Sequence, residues 1–294
     1  MKRLLLLIPT LTAVLFASSD ASASDGCLPI ETGDGGSPVI RATVAGQGPF
    51  AFVLDTAASG TTLDETTTAR LGLTRDSALE TAEGLGGPMD VRLYRTPSLR
   101  AGPLSLTEFT VPAIPAPAFE SHEIVGLAGV DLFADTLAIW GETPGCVMIQ
   151  ASGQRPGGEN WRPVEARWIR AWKIMLPVRI DGVDGWALLD TGAQHTVLNP
   201  TFAARLGLGG DRLTDGGEIS GIDGRPLPLS LATVETVSVG HWTWTNRSLR
   251  IGDLPVFGRL GEPDTPLAIL GADWLGAQGF AVDYGARTVW QRTL

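Results

Sequence analysis

The chain has 294 residues, a net charge of −10, 44% hydrophobic and 18% charged content. That balance excludes a disordered chain, and an acidic chain without a basic patch excludes nucleic acid as a partner. The 37 glycines and 20 prolines demand many turns and predict an all-β fold.

Lys2 and Arg3 precede an apolar run over residues 4–16, and Ala21-Ser22-Ala23 follows as a small-x-small cleavage site. This reads as a signal peptide over residues 1–23. The competing reading, an uncleaved anchor, meets an apolar run too short to span a bilayer and interrupted by Pro9. The expected location is the bacterial periplasm or the medium, with no stable membrane insertion after cleavage. Cys27 and Cys146 are the only cysteines. In an exported protein such a pair predicts a disulfide. A metal site is the weaker reading, because no histidine lies near either cysteine in sequence. Neither a metal nor a cofactor is expected.

Residues 39–44 read as a strand, Gly46-Gln47-Gly48-Pro49 as a turn, and residues 50–54 as a second strand, so a hairpin delivers Asp55 to a strand end. The run Phe52-Val53-Leu54-Asp55-Thr56-Ala57-Ala58 has a counterpart in Ala187-Leu188-Leu189-Asp190-Thr191-Gly192-Ala193. The second copy is preceded by its own hairpin, with strands over 175–180 and 186–189 and a turn over 181–185. Ala69-Arg70-Leu71-Gly72-Leu73 recurs as Ala204-Arg205-Leu206-Gly207-Leu208 at the same offset of 135 residues, and both copies read as a short helix ended by its glycine.

Further on, Gly84-Leu85-Gly86 parallels Gly221-Ile222-Asp223-Gly224, each a glycine-rich hairpin tip. Leu127-Ala128-Gly129-Val130-Asp131 then matches Ile269-Leu270-Gly271-Ala272-Asp273, and each half closes on strand-like residues, at 137–140 and 146–149 and at 280–282 and 288–290. A long repeat in two copies is a duplicated domain. Residues 151–164 have linker composition, which separates lobes over 27–150 and 165–294. Trp161, Trp168 and Trp172 near that boundary read as packing at the lobe interface rather than as a ligand site.

Two carboxylates at equivalent positions of two equivalent lobes meet when the lobes pack about a pseudo-twofold axis. Like charges at close range cannot both ionise easily, so the pair shares a proton. The ionised member can take a proton from a water, and the protonated member can donate to a carbonyl under attack. That is general acid–base hydrolysis without a covalent intermediate. The titration belongs to the pair, so neither Asp55 nor Asp190 is assigned a single role.

With these motifs in view, the chain resembles the retropepsin-like aspartic proteases, and within them the bacterial exported form with two lobes in one chain. The resemblance rests on apolar-apolar-Asp-Thr-small-Ala in each half, the glycine-rich tips and the Gly-x-Asp landmarks, and covers nearly all of residues 38–149 and 174–292. It implies two β-barrel lobes with an active site at their interface, Asp55 and Asp190 as a catalytic dyad, and an extended peptide or protein as substrate of a monomer. It further implies dyad support from Thr56, Ala57, Ala58, Thr191, Gly192 and Ala193, and flaps around Gly84, Leu85 and Gly86 and around Gly221, Ile222 and Gly224. Asp131, Asp273 and Asp64 are expected to cap or brace short helices. His195 is expected to be packed or solvated rather than catalytic, and His122 and His241 to lie on the surface. Ala57 departs from the family's glycine, which keeps a rival reading open: a two-lobed peptide-binding protein with an impaired dyad.

Overall fold

The computed structural model describes residues 20–23, 25–117, 119–170, 172–221 and 224–293. The first half carries β1 (Asp20–Ala23), β2 (Gly26–Pro29), β3 (Glu31–Thr32), β4 (Pro38–Val44), β5 (Gln47–Leu54), β6 (Leu63–Asp64), α1 (Glu65–Arg70), β7 (Thr74–Gly84), β8 (Gly87–Ala101), β9 (Leu104–Ile114), β10 (Ile124–Ala128), β11 (Thr136–Thr143) and β12 (Cys146–Ala151). There follow β13 (Trp161–Val164), β14 (Arg167–Ile169), β15 (Lys173–Ile180), β16 (Val183–Leu189), β17 (Val197–Leu198), α2 (Pro200–Arg205), β18 (Thr214–Ser220), β19 (Pro226–Val239) and β20 (Trp242–Ile251). The chain ends with α3 (Phe257–Leu260), β21 (Leu267–Leu270), α4 (Ala272–Leu275), β22 (Phe280–Asp283) and β23 (Thr288–Arg292). Of the expected signal segment only residues 20–23 are described; they form β1, antiparallel to β9.

The second lobe is a closed barrel. Strands β15, β16, β21, β17, β20 and β19 are paired in that order, and β19 pairs back onto β15. The first lobe repeats the path through β4, β5, β10, β6, β9 and β8, and β8 returns to β4 at Thr43↔Arg100. Its join between β10 and β6 is made by Thr62 N–H to Leu127 O (2.8 Å) and Leu127 N–H to Thr62 Oγ1 (2.9 Å). The fold is therefore all-β, with two barrel lobes that follow the same strand path. Near-continuous apolar runs explain why β5 and β16 sit inside: their last four and last three residues respectively are buried, as expected of strands covered on both faces.

The first opening hairpin turns earlier than its glycines and proline suggested, and the second turns at the start of the expected 181–185 segment. The turns are Ala45-Gly46 (φ 50° and 76°) and Asp181-Gly182 (φ 42° and 85°). Two positive φ values in a two-residue loop are the geometry that matches strand twist. The residues after each turn, Gln47 and Val183, already belong to the return strand.

A third, six-stranded sheet joins the halves in the order β13-β23-β22-β11-β12-β2. Its central pairing, β11 against β22, runs from Leu137↔Asp283 to Trp140↔Phe280. The expected linker thus ends in a strand, β13, paired with β23. Trp161 is buried in this sheet's own cluster with Trp290, and Trp168 lies edge-on to Tyr284, so both serve packing. At the sheet's edge Cys27 and Cys146 form a disulfide, with Cα atoms 5.6 Å apart.

Candidate active site

Asp55 and Asp190 stand at the ends of β5 and β16. Each backbone N–H donates to the parallel neighbouring strand, Asp55 to Ala128 O (3.0 Å) and Asp190 to Leu270 O (3.1 Å). The chain then turns tightly back onto its own carboxylate. Ala57 and Ala58 N–H donate to Asp55 Oδ1 at 2.7 and 3.0 Å, and Ala193 N–H donates to Asp190 Oδ1 at 2.9 Å. Ala57, Ala58 and Ala193 thus hold the two aspartate side chains through their backbone N–H groups.

The threonines cross the lobe boundary. Thr56 N–H donates to Thr191 Oγ1 and Thr191 N–H to Thr56 Oγ1, both at 3.1 Å. Each hydroxyl then donates to a carbonyl of the other lobe, Thr56 Oγ1 to Leu189 O (2.8 Å) and Thr191 Oγ1 to Leu54 O (2.6 Å). Four hydrogen bonds, buried from water, fix the two turns to each other. Gly192 is needed there for close approach. A Cβ at this position would lie 2.5 Å from Asp55 Cγ. Ala57 carries its methyl group without disturbing its own turn, and packs on an apolar cluster of the second lobe that includes Met175, Leu188 and Phe257.

The Gly-x-Asp landmarks lock the turns from outside. Thr61 donates to Asp131 through N–H (2.9 Å) and Oγ1 (2.8 Å). Thr196 repeats the pattern on Asp273 through N–H (2.9 Å to Oδ1) and Oγ1 (2.8 Å). A Cβ on Gly129 would fall 2.5 Å from the Gly60 carbonyl carbon, and one on Gly271 2.6 Å from that of His195. Asp131 and Asp273 are thus braces of the active-site turns and not helix caps, whereas Asp64 does cap α1, accepting from Thr67 N–H at 2.8 Å. His122 is less exposed than expected of a surface residue: its side chain is 13% exposed and bonded to Glu31 at 2.9 Å.

The electrostatics follow from this packing. The two carboxyl groups lie close enough to act on each other electrostatically. Burial pushes the Asp55 carboxyl above the usual carboxylate range, against the Ala57 N–H and the Lys173 ammonium. Burial, and then the charge of Asp55, push Asp190 up in the same direction, opposed by Ala193 N–H and Lys173. The pair therefore holds a proton to higher pH than free carboxylates do. The buried Tyr284 hydroxyl is also held above its ordinary range, by burial and by the charge of Asp55. His195 is half-buried; burial and then Arg250 push its imidazole down, against Asp273.

The hairpin expected to act as the first flap, β7–β8, closes at Gly84↔Gly87 with Leu85 and Gly86 at the tip. It reaches the other lobe. Leu85 packs on the second-lobe apolar cluster, Val256 N–H donates to Leu85 O at 3.4 Å, and Arg259 pairs with Glu83 at 3.0 Å. The second hairpin, β18–β19, turns at Gly221–Gly224, where Gly224 N–H donates to Gly221 O at 3.0 Å; Ile222 lies outside the described residues.

The sequence profile of the aspartyl protease family matches this chain twice, over residues 40–132 and 176–274. The chain belongs to that family. The two matched regions fall one in each lobe and contain one aspartate turn each, which fits an aspartyl protease with both retropepsin-like units in one polypeptide. Comparison with curated proteins gives no match. Among the described residues of this aspartyl protease chain no helix is long and apolar enough to cross a membrane.

Three residues near the dyad escape a motif search: Lys173, Ser37 and Tyr284. Lys173 Nζ donates to Ala57 O at 2.7 Å, and Ser37 Oγ to Gly192 O at 3.4 Å. The repeat gave no signal for either, since at the 135-residue offset Ser37 stands opposite Trp172 and Lys173 opposite Pro38.

Proposed function

We propose that this protein is an exported aspartic endopeptidase in which Asp55 and Asp190 jointly activate a water for attack on a peptide bond. The observation that carries the reading is the cross-lobe lock of Thr56 and Thr191, which holds the Asp55 and Asp190 turns against each other. The ionised carboxylate takes a proton as the water oxygen bonds to the carbonyl carbon. The protonated carboxyl donates to the carbonyl oxygen, giving a tetrahedral diol. Protonation of the amide nitrogen and cleavage of the C–N bond then release an acid and an amine, and the dyad returns to its singly protonated state. The substrate is an extended peptide or protein held beneath the flaps through backbone hydrogen bonds, and one chain supplies the whole site. The apolar N-terminal segment and the disulfide support export.

A second reading, a peptide-binding protein whose dyad no longer turns over, is favoured by Ala57 at a position where the family has glycine. One assay separates the two. The purified protein is incubated with a random peptide pool between about pH 3 and 7, the range in which a shared-proton dyad works, with and without chelator. Defined cleavage that survives chelation supports the peptidase. Peptide retention with no cleavage at any pH would replace it with the binding protein.

A further inference from the structure

Lys173 is the chain's only lysine besides Lys2, in a sequence that otherwise uses arginine for its cations. It opens β15 in the second lobe, yet its Nζ donates to the carbonyl of Ala57 in the first lobe at 2.7 Å, across 116 residues of chain. On the opposite side of the pseudo-twofold the matching carbonyl, Gly192 O, receives the neutral hydroxyl of buried Ser37. Each aspartate turn is therefore clamped by the other lobe, but among the described residues only the Ala57 turn is clamped by a charge.

We propose that Lys173 is a positioning residue of the dyad: its ammonium pins the departed Ala57 turn across the lobe interface and supplies a fixed positive charge to both aspartates. This rests on the peptidase reading for its consequence but not for its geometry. A lysine suits the role because a flexible stem ends in a compact point charge with three donors, one for the carbonyl and the rest free to face the carboxylates or water. The groups facing the dyad are each aspartate toward the other, Lys173 from β15 and the Tyr284 hydroxyl from the turn after β22. Of these Lys173 favours the ionised carboxylates, while burial and mutual repulsion favour the protonated ones. Without it both ionisations of the pair move to higher pH, because an opposite charge stabilises the anion at each step.

The test compares the pH profile of kcat/KM for the intact protein with Lys173→Met, which keeps an unbranched stem, and Lys173→Arg, which keeps the charge. The expected result is that Met moves both limbs upward by roughly one pH unit, and that Arg brings them back toward the wild-type positions. If the Met variant, with an unchanged melting temperature, loses turnover while its limbs stay in place, Lys173 is only a structural clamp and the proposal is overturned. The same comparison by 13C carboxyl NMR of Asp55 and Asp190 needs no turnover. An upward displacement there upholds the proposal even if the peptidase reading fails, and superimposable titrations sink it.

Discussion

At the scale of single residues, the two aspartate turns are not interchangeable. Gly192 faces the Asp55 carboxyl so closely that a methyl group has no place, whereas Ala57 has settled its own against the second-lobe cluster. Gly192→Ala is therefore expected to displace Asp55 and lower kcat by at least about a hundredfold, while Ala57→Gly leaves activity equal or higher; steady-state kinetics on one cleaved peptide would show it. The dyad also has a thermodynamic signature. Carboxyl groups whose protons are held more tightly in the folded state stabilise it fully below their unfolded pKa, and that contribution is lost as pH rises through the folded value. Between about pH 5 and 8 the exposed carboxylates held low by their partners, such as Glu31 beside Arg41, are ionised in both states and contribute no slope. His195 acts with the opposite sign, since its imidazole is held low when folded. The comparison must therefore be made against Asp190→Asn: wild type should lose more melting temperature than the variant on going from pH 5 to pH 8, and parallel curves would contradict the raised titration.

At the scale of elements, the β7–β8 hairpin reaches across to the second lobe. Burial of Leu85 on the second lobe contributes about 1–2 kcal/mol. The half-exposed Glu83–Arg259 pair adds no more than about 1 kcal/mol. Apolar contact thus dominates the docking of the β7–β8 tip. Leu85→Ala should speed hydrogen exchange along β7 and β8 and raise KM, whereas Arg259→Ala should do little to either; equal effects would show that the ion pair governs the flap. Much of this level was legible in the sequence. The apolar runs before each acid, the helix-ending glycines at 72 and 207 and the glycine-rich tips gave the hairpins and their order. The turn at Ala45-Gly46 was placed too late, because an alanine at positive φ carries no composition signal and the later Gly48-Pro49 pair does; the turn at Asp181-Gly182 was placed correctly at its start but extended too far.

At the scale of the whole molecule, the duplication was legible because motif, helix and landmark recur together, but the sheet that joins the lobes was not. Strands β11 and β22 pair across about half of the chain, and an ordinary apolar strand does not encode its partner. Strand β13 was hidden by the glycine and proline around it. Lys173 was hidden because its partner is a backbone carbonyl, which no side-chain motif records. The joining sheet is tied at its edge by Cys27–Cys146, separated by 119 residues. Closing so long a loop restricts the unfolded chain and is worth about 3–5 kcal/mol. Reduction, or Cys146→Ser, should lower the melting temperature by several degrees, and calorimetry with and without reductant checks it. Because the lobes meet through this sheet and the threonine lock together, loss of either is expected to loosen the site between them.

The central claim is that one aspartate from each lobe performs the hydrolysis as a unit. It is tested most directly by kcat/KM of Asp55→Asn and Asp190→Asn on a single peptide cleaved by the wild type. Each asparagine keeps the shape of the site but cannot share the proton, so each variant should fall by at least about a thousandfold with its fold intact. Turnover within a few-fold of wild type in either variant would contradict the two-lobe dyad.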